Sequence, residues 1–343
     1  ALGLEFLSEA LNAWHFGSSR NFSFGARSRD YGFWPRNNNE IENWFNYFIG
    51  LCTNLALSEQ LIAPKARKLL SDKMRGLWVK SGAYEALEDA ARKIHTHKSW
   101  SSGWLAVREI IKLDGDGFEE ETLERLQNLE SFLKPRNLLE RVRVYAFSER
   151  FDRFDIEDDV DSDDGELSSW ERADKITREL GLLIAQDRDA FNILLPELVS
   201  TYAQRLYIFG QGLFDGSNDK QEFWETLYSQ LEKTEPDKRE YVVFVGYLSA
   251  SVESFPEFYN STLDSLVNDE LLGKWFPVFQ GDIIVDKQSV ERLHKALDSG
   301  KAAIETFRHL AYGRRHEEIG DDDLSDLLSK LLTKNGGENE VLE

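Results

Sequence analysis

The amino-acid sequence predicts an all-α protein, built as an irregular array of antiparallel helix pairs. Apolar residues recur at steps of three and four along most of the chain, which places them on one face of successive helices. The segments between these runs are short, as is usual where consecutive helices pack antiparallel. Glycines and aspartates stand where such helices would end and begin.

The first half of the chain contains seven predicted helices. They span residues 2–14, 38–57, 60–79, 83–95, 102–112, 118–133 and 136–149. Gly50 and Gly82 are predicted to end helices because glycine adopts the left-handed conformation without strain. Asp116 followed by Glu119 has the spacing of a capping box. Cys52 lies on the apolar stripe of its helix and is predicted to be a small buried hydrophobe.

The second half contains eight predicted helices. They span residues 168–186, 189–209, 219–232, 238–251, 256–268, 287–298, 301–312 and 322–333. Gly210 and Gly313 are predicted to end helices. The run from Asp321 to Asp323 places carboxylates at the positive end of the helix over 322–333.

Two short runs fit the helical period poorly. Residues 241–245 (YVVFV) and 279–285 (FQGDIIV) are rich in β-branched and aromatic residues, which favour strands. Two isolated runs do not make a sheet, so the all-α prediction stands. No strict sequence repeat is visible, but HEAT-like or TPR-like helix pairs can diverge in sequence while they keep their packing.

The length predicts more than one lobe, because single cores stop growing near ~250–300 residues and the chain has 343. We expect an N-terminal helical lobe over 1–150 and a C-terminal helical lobe over 168–335. The linker between them is the acidic segment 151–167, in which residues 151–166 hold nine carboxylates and one arginine. A polar tail is expected over 336–343.

Composition and charge exclude several classes of protein. The net charge of −21 argues against nucleic-acid binding, which needs clustered lysine and arginine facing phosphate. A single cysteine excludes an intrachain disulfide and any multi-cysteine metal site. No apolar run approaches ~18 residues, so no membrane span is expected. A cytoplasmic protein that binds no membrane is the simplest expectation.

No motif with catalytic or cofactor-binding spacing is present. The glycines of FGQGLFDG (209–216) miss a dinucleotide-binding pattern by one residue and follow a helix-like run, so a helix end is the better interpretation. Neither glycine-centred candidate for a calcium loop has ligating residues at all the required positions. The six histidines are scattered along the chain. We therefore predict no catalytic residue, no metal and no cofactor, although the acidic segment 151–166 leaves weak cation binding open.

An arginine-rich and aromatic loop over 15–37 is the most informative segment. Arg27, Arg29, Tyr31 and Trp34 are the candidate partner-binding residues. Guanidinium groups stack on rings or bind carboxylates, and aromatic residues anchor protein contacts. The alternative is an internal clamp in which these arginines pair with the chain's own acidic side chains.

Several phrases together resemble a known group of proteins. They are FSFGARSRDYGFWP (22–35), SGWLAVREII (102–111), LKPRNLLERVRVYAFS (133–148), DIEDD (155–159), LLPELVS (194–200), KWFPVFQ (274–280) and GRRHEEIGDDDLSDLL (313–328). In this order they resemble the helical C-terminal region of very large bacterial proteins that carry an N-terminal effector and a central STAND-type NTPase. Those proteins are associated with antiphage defence. The resemblance implies a helical region that recognises a foreign protein or relays to the NTPase, and the Walker motifs of the whole protein are not in this chain.

The sequence thus favours a non-enzymatic protein-recognition or scaffold module, a fragment of a larger antiviral NTPase. Its partners would be another protein or neighbouring domains of the same polypeptide. A stand-alone hydrolase that uses a divalent metal and a purely structural intramolecular adaptor are the alternatives.

Overall fold

The protein is all-α, as predicted. The computed structural model describes residues 2–14, 35, 37–147, 169–282 and 285–342. These residues form seventeen α-helices joined by turns and short 3-10 helices, and they contain no β-strand. The arrangement of the helices as HEAT-like or TPR-like pairs stays a prediction.

The described residues fall into two compact units. The first unit extends to Val144 and the second begins at Tyr145. The boundary therefore coincides with the end of the helix Leu138–Tyr145. The acidic segment 151–166, where the sequence predicts the division between lobes, lies outside the described residues.

Seven helices begin in the first unit. They are α1 (Leu2–Ala10), α2 (Asn38–Ala56), α3 (Ala63–Ser81), α4 (Tyr84–His97), α5 (Ser101–Asp114), α6 (Glu120–Leu133) and α7 (Leu138–Tyr145). Helix α3 packs against α2 and α5, and α5 packs against α6. Their apolar faces bury Phe45, Met74 and Trp78. Cys52 is also completely buried, which confirms its predicted place on the apolar stripe of its helix.

Ten helices form the second unit. They are α8 (Ser169–Gln186), α9 (Arg188–Leu198), α10 (Leu206–Gly216), α11 (Lys220–Lys233), α12 (Val242–Ser249), α13 (Pro256–Leu266), α14 (Phe276–Gly281), α15 (Lys287–Ser299), α16 (Asp321–Leu332) and α17 (Gly337–Leu342). A 3-10 segment over Ile304–Glu318 connects α15 to α16. Helix α10 packs between α8 and α12, and Phe209, Phe244 and Tyr247 are buried in the core that these helices share.

Glycines allow α10 to approach both neighbouring helices at backbone distance. A Cβ on Gly212 would lie 1.9 Å from the carbonyl oxygen of Arg178 in α8. A Cβ on Gly210 would lie 2.4 Å from the carbonyl oxygen of Val243 in α12. The prediction that Gly210 ends a helix is therefore wrong. Gly210 and Gly212 of FGQGLFDG lie inside α10, where they provide close helix packing, and Gly216 is the last residue of α10. The interpretation of this segment as a helix end therefore holds only at Gly216.

The single helix predicted over 189–209 is interrupted. Helix α9 ends at Leu198, and α10 begins only at Leu206. The carbonyl of Val199, which a continuing helix would use internally, accepts a hydrogen bond from the backbone N–H of Glu240 at 2.9 Å. A tertiary hydrogen bond thus replaces the helical one and leaves the intervening residues in a loop.

Neither run that resembles a strand is a strand where the structure describes it: most of the described residues of both runs are helical, and residues 283–284 lie outside the described residues. Residues 242–245 begin α12, and almost every side chain of α12 is buried. A helix that is buried on all sides has no polar face, so its sequence shows no 3.6-residue period and resembles a buried strand. Residues 279–281, at the start of the second run, are the last three residues of α14.

The predicted helix ends are right in some places and wrong in others. Gly82 follows α3 with a φ of 64°, the left-handed conformation that the sequence predicts. The aspartates of 321–323 occupy the first turn of α16, also as predicted. Gly50 lies within α2 and does not end it.

Three other boundaries also differ from the predictions. Asp116 lies in a separate 3-10 turn, and no side chain caps the start of α6, so the predicted capping box is absent. Gly313 lies inside the 3-10 segment Ile304–Glu318 and does not end a helix. The segment 336–343, predicted to be a tail, contains α17.

None of the helices in the described ranges combines the length and the apolar character that crossing a bilayer requires.

Candidate functional site

The candidate partner-binding residues from the sequence, Arg27, Arg29, Tyr31 and Trp34, lie outside the described residues. The structure therefore brings none of them into a described site. Within the described part of the second unit, a different group of aromatic side chains comes together on the surface. These side chains come from four segments that are distant along the chain.

Backbone hydrogen bonds join the four segments in two pairs. The loop after α9 is joined to the loop before α12 by the N–H of Glu240, which donates to the carbonyl of Val199 at 2.9 Å. The 3-10 turn Gly273–Trp275 is joined to the start of the segment Ile304–Glu318 by the N–H of Ala303, which donates to the carbonyl of Lys274 at 2.9 Å. Each of these bonds joins backbone to backbone and thus holds the two segments of its pair next to each other.

Five rings form what we call the aromatic surface: Tyr202, Tyr241, Trp275, His309 and Tyr312. The rings of Tyr241 and Trp275 lie 5.0 Å apart between centroids, at an interplanar angle of 36°. The rings of His309 and Tyr312 also lie 5.0 Å apart, edge to face at 89°. Such geometries are favourable for aromatic pairs.

Tyr241 of the first ring pair interacts electrostatically with Tyr312 of the second pair and with Tyr202. Burial raises the pKa of the Tyr241 phenol, and the nearby Tyr202, Glu240 and Tyr312 raise this pKa further. Such electrostatic effects fall off with distance, so these groups lie within electrostatic range of the Tyr241 hydroxyl. Tyr202 and Tyr312 remain 53% and 62% exposed, respectively, whereas Tyr241 and Trp275 are half-buried. The aromatic surface therefore has two exposed rings on a half-buried base.

Charged side chains border these rings. The Lys274 ammonium lies 3.7 Å from the centroid of the Trp275 ring, a cation–π contact. Burial lowers the pKa of Lys274, and Glu240 opposes this shift. Burial likewise raises the pKa of the Glu240 carboxyl, against the effect of Lys274. The Arg239 guanidinium donates to backbone carbonyls at the end of α11, those of Leu231 and Thr234 among them.

A second polar cluster in this unit has a structural role. The Tyr207 hydroxyl of α10 donates to Asp282 Oδ2 at 2.8 Å, beside Gln211 and Ser249. Burial raises the pKa of Tyr207 to about 12, so the phenol keeps its proton at neutral pH. It acts as a hydrogen-bond donor that ties α10 to the end of α14, and it is not a general base.

The described residues contain no cluster of side chains that could support metal-dependent chemistry. No three His, Cys, Asp or Glu side chains of these residues are grouped so that they could hold a metal ion. The acidic segment 151–166 lies outside the described residues.

Sequence analysis missed the aromatic surface because its residues lie far apart in the chain. Tyr202 falls inside the helix predicted over 189–209, so it was expected on a helix and not in a loop. One local signal was available: Pro277 stands at the beginning of α14. Proline favours the first turn of a helix, which places Trp275 in the preceding turn.

Compared with protein-family models, with curated proteins and with solved structures, the chain matches none of them.

Proposed function

We propose that the chain is a non-enzymatic protein-recognition or scaffold module within a larger antiviral NTPase. The observation that carries the recognition role is the pair of exposed tyrosines, Tyr202 and Tyr312, on the half-buried base of Tyr241 and Trp275. Tyrosine and tryptophan dominate the energetics of protein interfaces, because they bury a large area and lose little rotamer freedom. Backbone hydrogen bonds join the segments that carry these rings in pairs, which reduces the backbone freedom lost on binding.

The antiviral part of the proposal is supported by the resemblance of phrases between residues 22 and 328 to the C-terminal region of STAND-type defence proteins. In that role the chain acts in the cytoplasm and contacts a foreign protein or neighbouring domains. Arg27, Arg29, Tyr31 and Trp34 stay predicted contacts on a separate segment.

Capture from lysates tests the recognition role. The full chain is immobilised and exposed to lysates of phage-infected and uninfected bacteria. We expect a protein that the wild type retains and that the Tyr202→Ala/Tyr312→Ala variant loses. Tyr47→Ala is the matched control, because Tyr47 is 67% exposed but lies on α2 of the first unit. An Arg27→Ala/Arg29→Ala variant tests the separate predicted contacts in the same assay.

Retention of the same proteins by wild type and by the Tyr202→Ala/Tyr312→Ala variant would contradict a recognition role for the aromatic surface. Retention of no protein at all would favour a structural adaptor that acts within one polypeptide. The proposal of a larger NTPase is tested by sequencing the gene upstream of the codon for Ala1. A Walker A loop encoded in the same reading frame is expected. A start codon directly before Ala1 would refute this part of the proposal.

A further inference from the structure

We infer that a face formed by α1 and α2 binds an amphipathic helix of a protein partner, one whose apolar side is bordered by lysine or arginine. The α1–α2 face consists of Leu2 and Phe6 on α1 and of Tyr47, Phe48 and Leu51 on α2. It lies in the first unit, so the inference goes beyond the recognition role of the aromatic surface and does not depend on it.

Two contacts join the helices of this face. The indole Nε1 of Trp44 donates to the carbonyl of Ala10 at 2.9 Å. Four residues earlier on α1 and four later on α2, the rings of Phe6 and Phe48 lie edge to face, 6.0 Å apart between centroids. Because residues four apart share one side of a helix, α1 and α2 run antiparallel along this contact.

The apolar side chains of the face are exposed. On α1, Leu2 is 82% exposed and Phe6 is 63% exposed. On α2, Tyr47 is 67% exposed, and Leu51, one turn later, is exposed as well. The Tyr47 ring stands edge to face on the buried Phe48, at 5.1 Å between centroids. Contiguous apolar side chains on the surface of a protein are typical of a binding surface.

The spacing of these side chains favours a helix as the partner. Leu2 and Phe6 are four residues apart on α1, and Tyr47 and Leu51 are four apart on α2, so each helix presents one row along its axis. Two such rows side by side form a groove that accepts a ridge of side chains from a third helix. An open depression of about 620 Å³ lies beside α1, and Leu2 and Phe6 are among the residues that line it.

The charges on these two helices favour a basic partner. Each helix carries two glutamates and neither lysine nor arginine. Glu5 and Glu9 are exposed on α1 and line the same depression. Glu40 lies seven residues before Tyr47 and therefore on the same side of α2. A helix with lysine or arginine beside its apolar side would place these cations near the carboxylates.

The neighbouring helix α3 is basic and packs against both α1 and α2. Arg67 donates to a carbonyl at the end of α2, Arg75 binds Asp114 of α5, and Lys80 lies 5.2 Å from the Trp14 ring centroid. These three cations thus contact groups outside the α1–α2 face. The net charge of −21 adds long-range attraction for a basic helix and repulsion of an anionic lipid surface.

Peptide titration on the full chain tests this inference. The probe is a fluorescent peptide of leucine and lysine, about 18 residues or roughly five helical turns long, patterned with one apolar and one basic side. Binding is followed by anisotropy at about 0.15 M salt, where surface charges are screened beyond ~8 Å. A scrambled peptide of the same composition measures attraction by charge alone. We expect it to bind about tenfold more weakly or worse, because it presents no apolar row to the groove.

Truncating the apolar row of α1 tests the contact. Leu2→Ala/Phe6→Ala is expected to weaken binding of the patterned peptide about tenfold or more, because a few apolar anchors carry most of the affinity of such a contact. Tyr202→Ala/Tyr312→Ala is the matched control, since it truncates two exposed side chains of the second unit, and is expected to bind like the wild type. Tyr47→Ala stays a control for the aromatic surface, because the two surfaces lie in different units.

A charge variant tests the basic border of the partner. Glu5→Gln/Glu9→Gln leaves the apolar row intact and is expected to weaken binding of the patterned peptide roughly two- to fivefold, as for exposed ion pairs. The loss is expected to grow at lower salt, where screening is weaker. Both changes are at exposed positions, and circular dichroism and thermal unfolding of each variant confirm that it folds like the wild type.

Equal affinities of the wild type and Leu2→Ala/Phe6→Ala for the patterned peptide would overturn the inference, as would equal affinities of the wild type for the patterned and scrambled peptides. Phosphatidylserine vesicles that bind through Leu2 and Phe6 would assign the face to a membrane instead. A dimer that Leu2→Ala/Phe6→Ala abolishes would assign it to a second copy of the chain. If lysate capture through Tyr202 and Tyr312 succeeds while the peptide results are negative, the recognition function stands and only this second surface is wrong.

Discussion

The thiol of Cys52 is enclosed between α2 and α3, where it donates to the carbonyl of Ala66 at 3.4 Å. Burial raises the pKa of this thiol from 9.0 to about 12. The thiolate is the reactive form of cysteine, so burial suppresses both ionisation and access of reagents. Burial therefore makes Cys52, which the sequence predicts to be a small hydrophobe, chemically inert as well.

We therefore predict that Cys52 does not react with an aromatic disulfide reagent at pH 8 until the protein unfolds. The expected readout is no release of the coloured thiol in buffer and one equivalent in strong denaturant. Since the pKa is raised in the folded state, this group stabilises the fold below pH 9, and that contribution is lost as the pH rises towards 12. Rapid labelling of the native protein would contradict the prediction.

At the scale of elements, the close packing of α8, α10 and α12 depends on glycine. Gly212 in α10 faces Gly181 in α8, and a Cβ on either would lie 2.3 Å or less from a backbone oxygen. On the other side of α10, a Cβ on Gly246 of α12 would lie 1.9 Å from the carbonyl oxygen of Tyr207. Backbone atoms cannot move aside as a flexible side chain can, so these helices would have to separate.

Gly212→Ala is therefore expected to lower the free energy of unfolding by about 1–3 kcal/mol or more, through overpacking. Gly50→Ala is the matched control, because Gly50 also lies inside a helix but nothing lies within 4 Å of its added Cβ. That change is expected to raise the free energy of unfolding by roughly 0.5–1 kcal/mol, since alanine favours helix over glycine. Denaturant unfolding monitored by circular dichroism measures both, and equal effects would refute the packing argument.

At the scale of the whole molecule, the dominant property is negative charge. The chain carries 62 acidic and 41 basic residues, and copies of it repel one another. The repulsion extends over ~30 Å at about 10 mM salt and only ~8 Å at 0.15 M.

The isolated protein is expected to be monomeric at about 10 mM salt, with a mass of 39.6 kDa by light scattering. Charge repulsion opposes close self-association under these conditions. Higher salt is expected to weaken that repulsion and leave a monomer or permit loose association. A tight oligomer at low salt would contradict this prediction.

The sequence by itself determined the all-α class, the burial of Cys52 and the helix end at Gly82. These properties depend on apolar periodicity and on the conformations of single residues, which act over one or two helical turns. It also limited the chemistry, since one cysteine and a net charge of −21 follow from composition alone.

Only the tertiary structure decided where α10 packs and which aromatic residues meet. Gly210 was predicted to end a helix because glycine often does so. It lies inside α10 instead, where the close approach of the Val243 backbone leaves no room for a Cβ. The loop that carries Tyr202 is joined to the one that carries Tyr241 by the hydrogen bond from Glu240 to Val199, and the turn that carries Trp275 is joined to the segment that carries Tyr312 by the bond from Ala303 to Lys274. Local propensity carries no information on such long-range bonds, so the candidate recognition surface became visible only in the folded molecule.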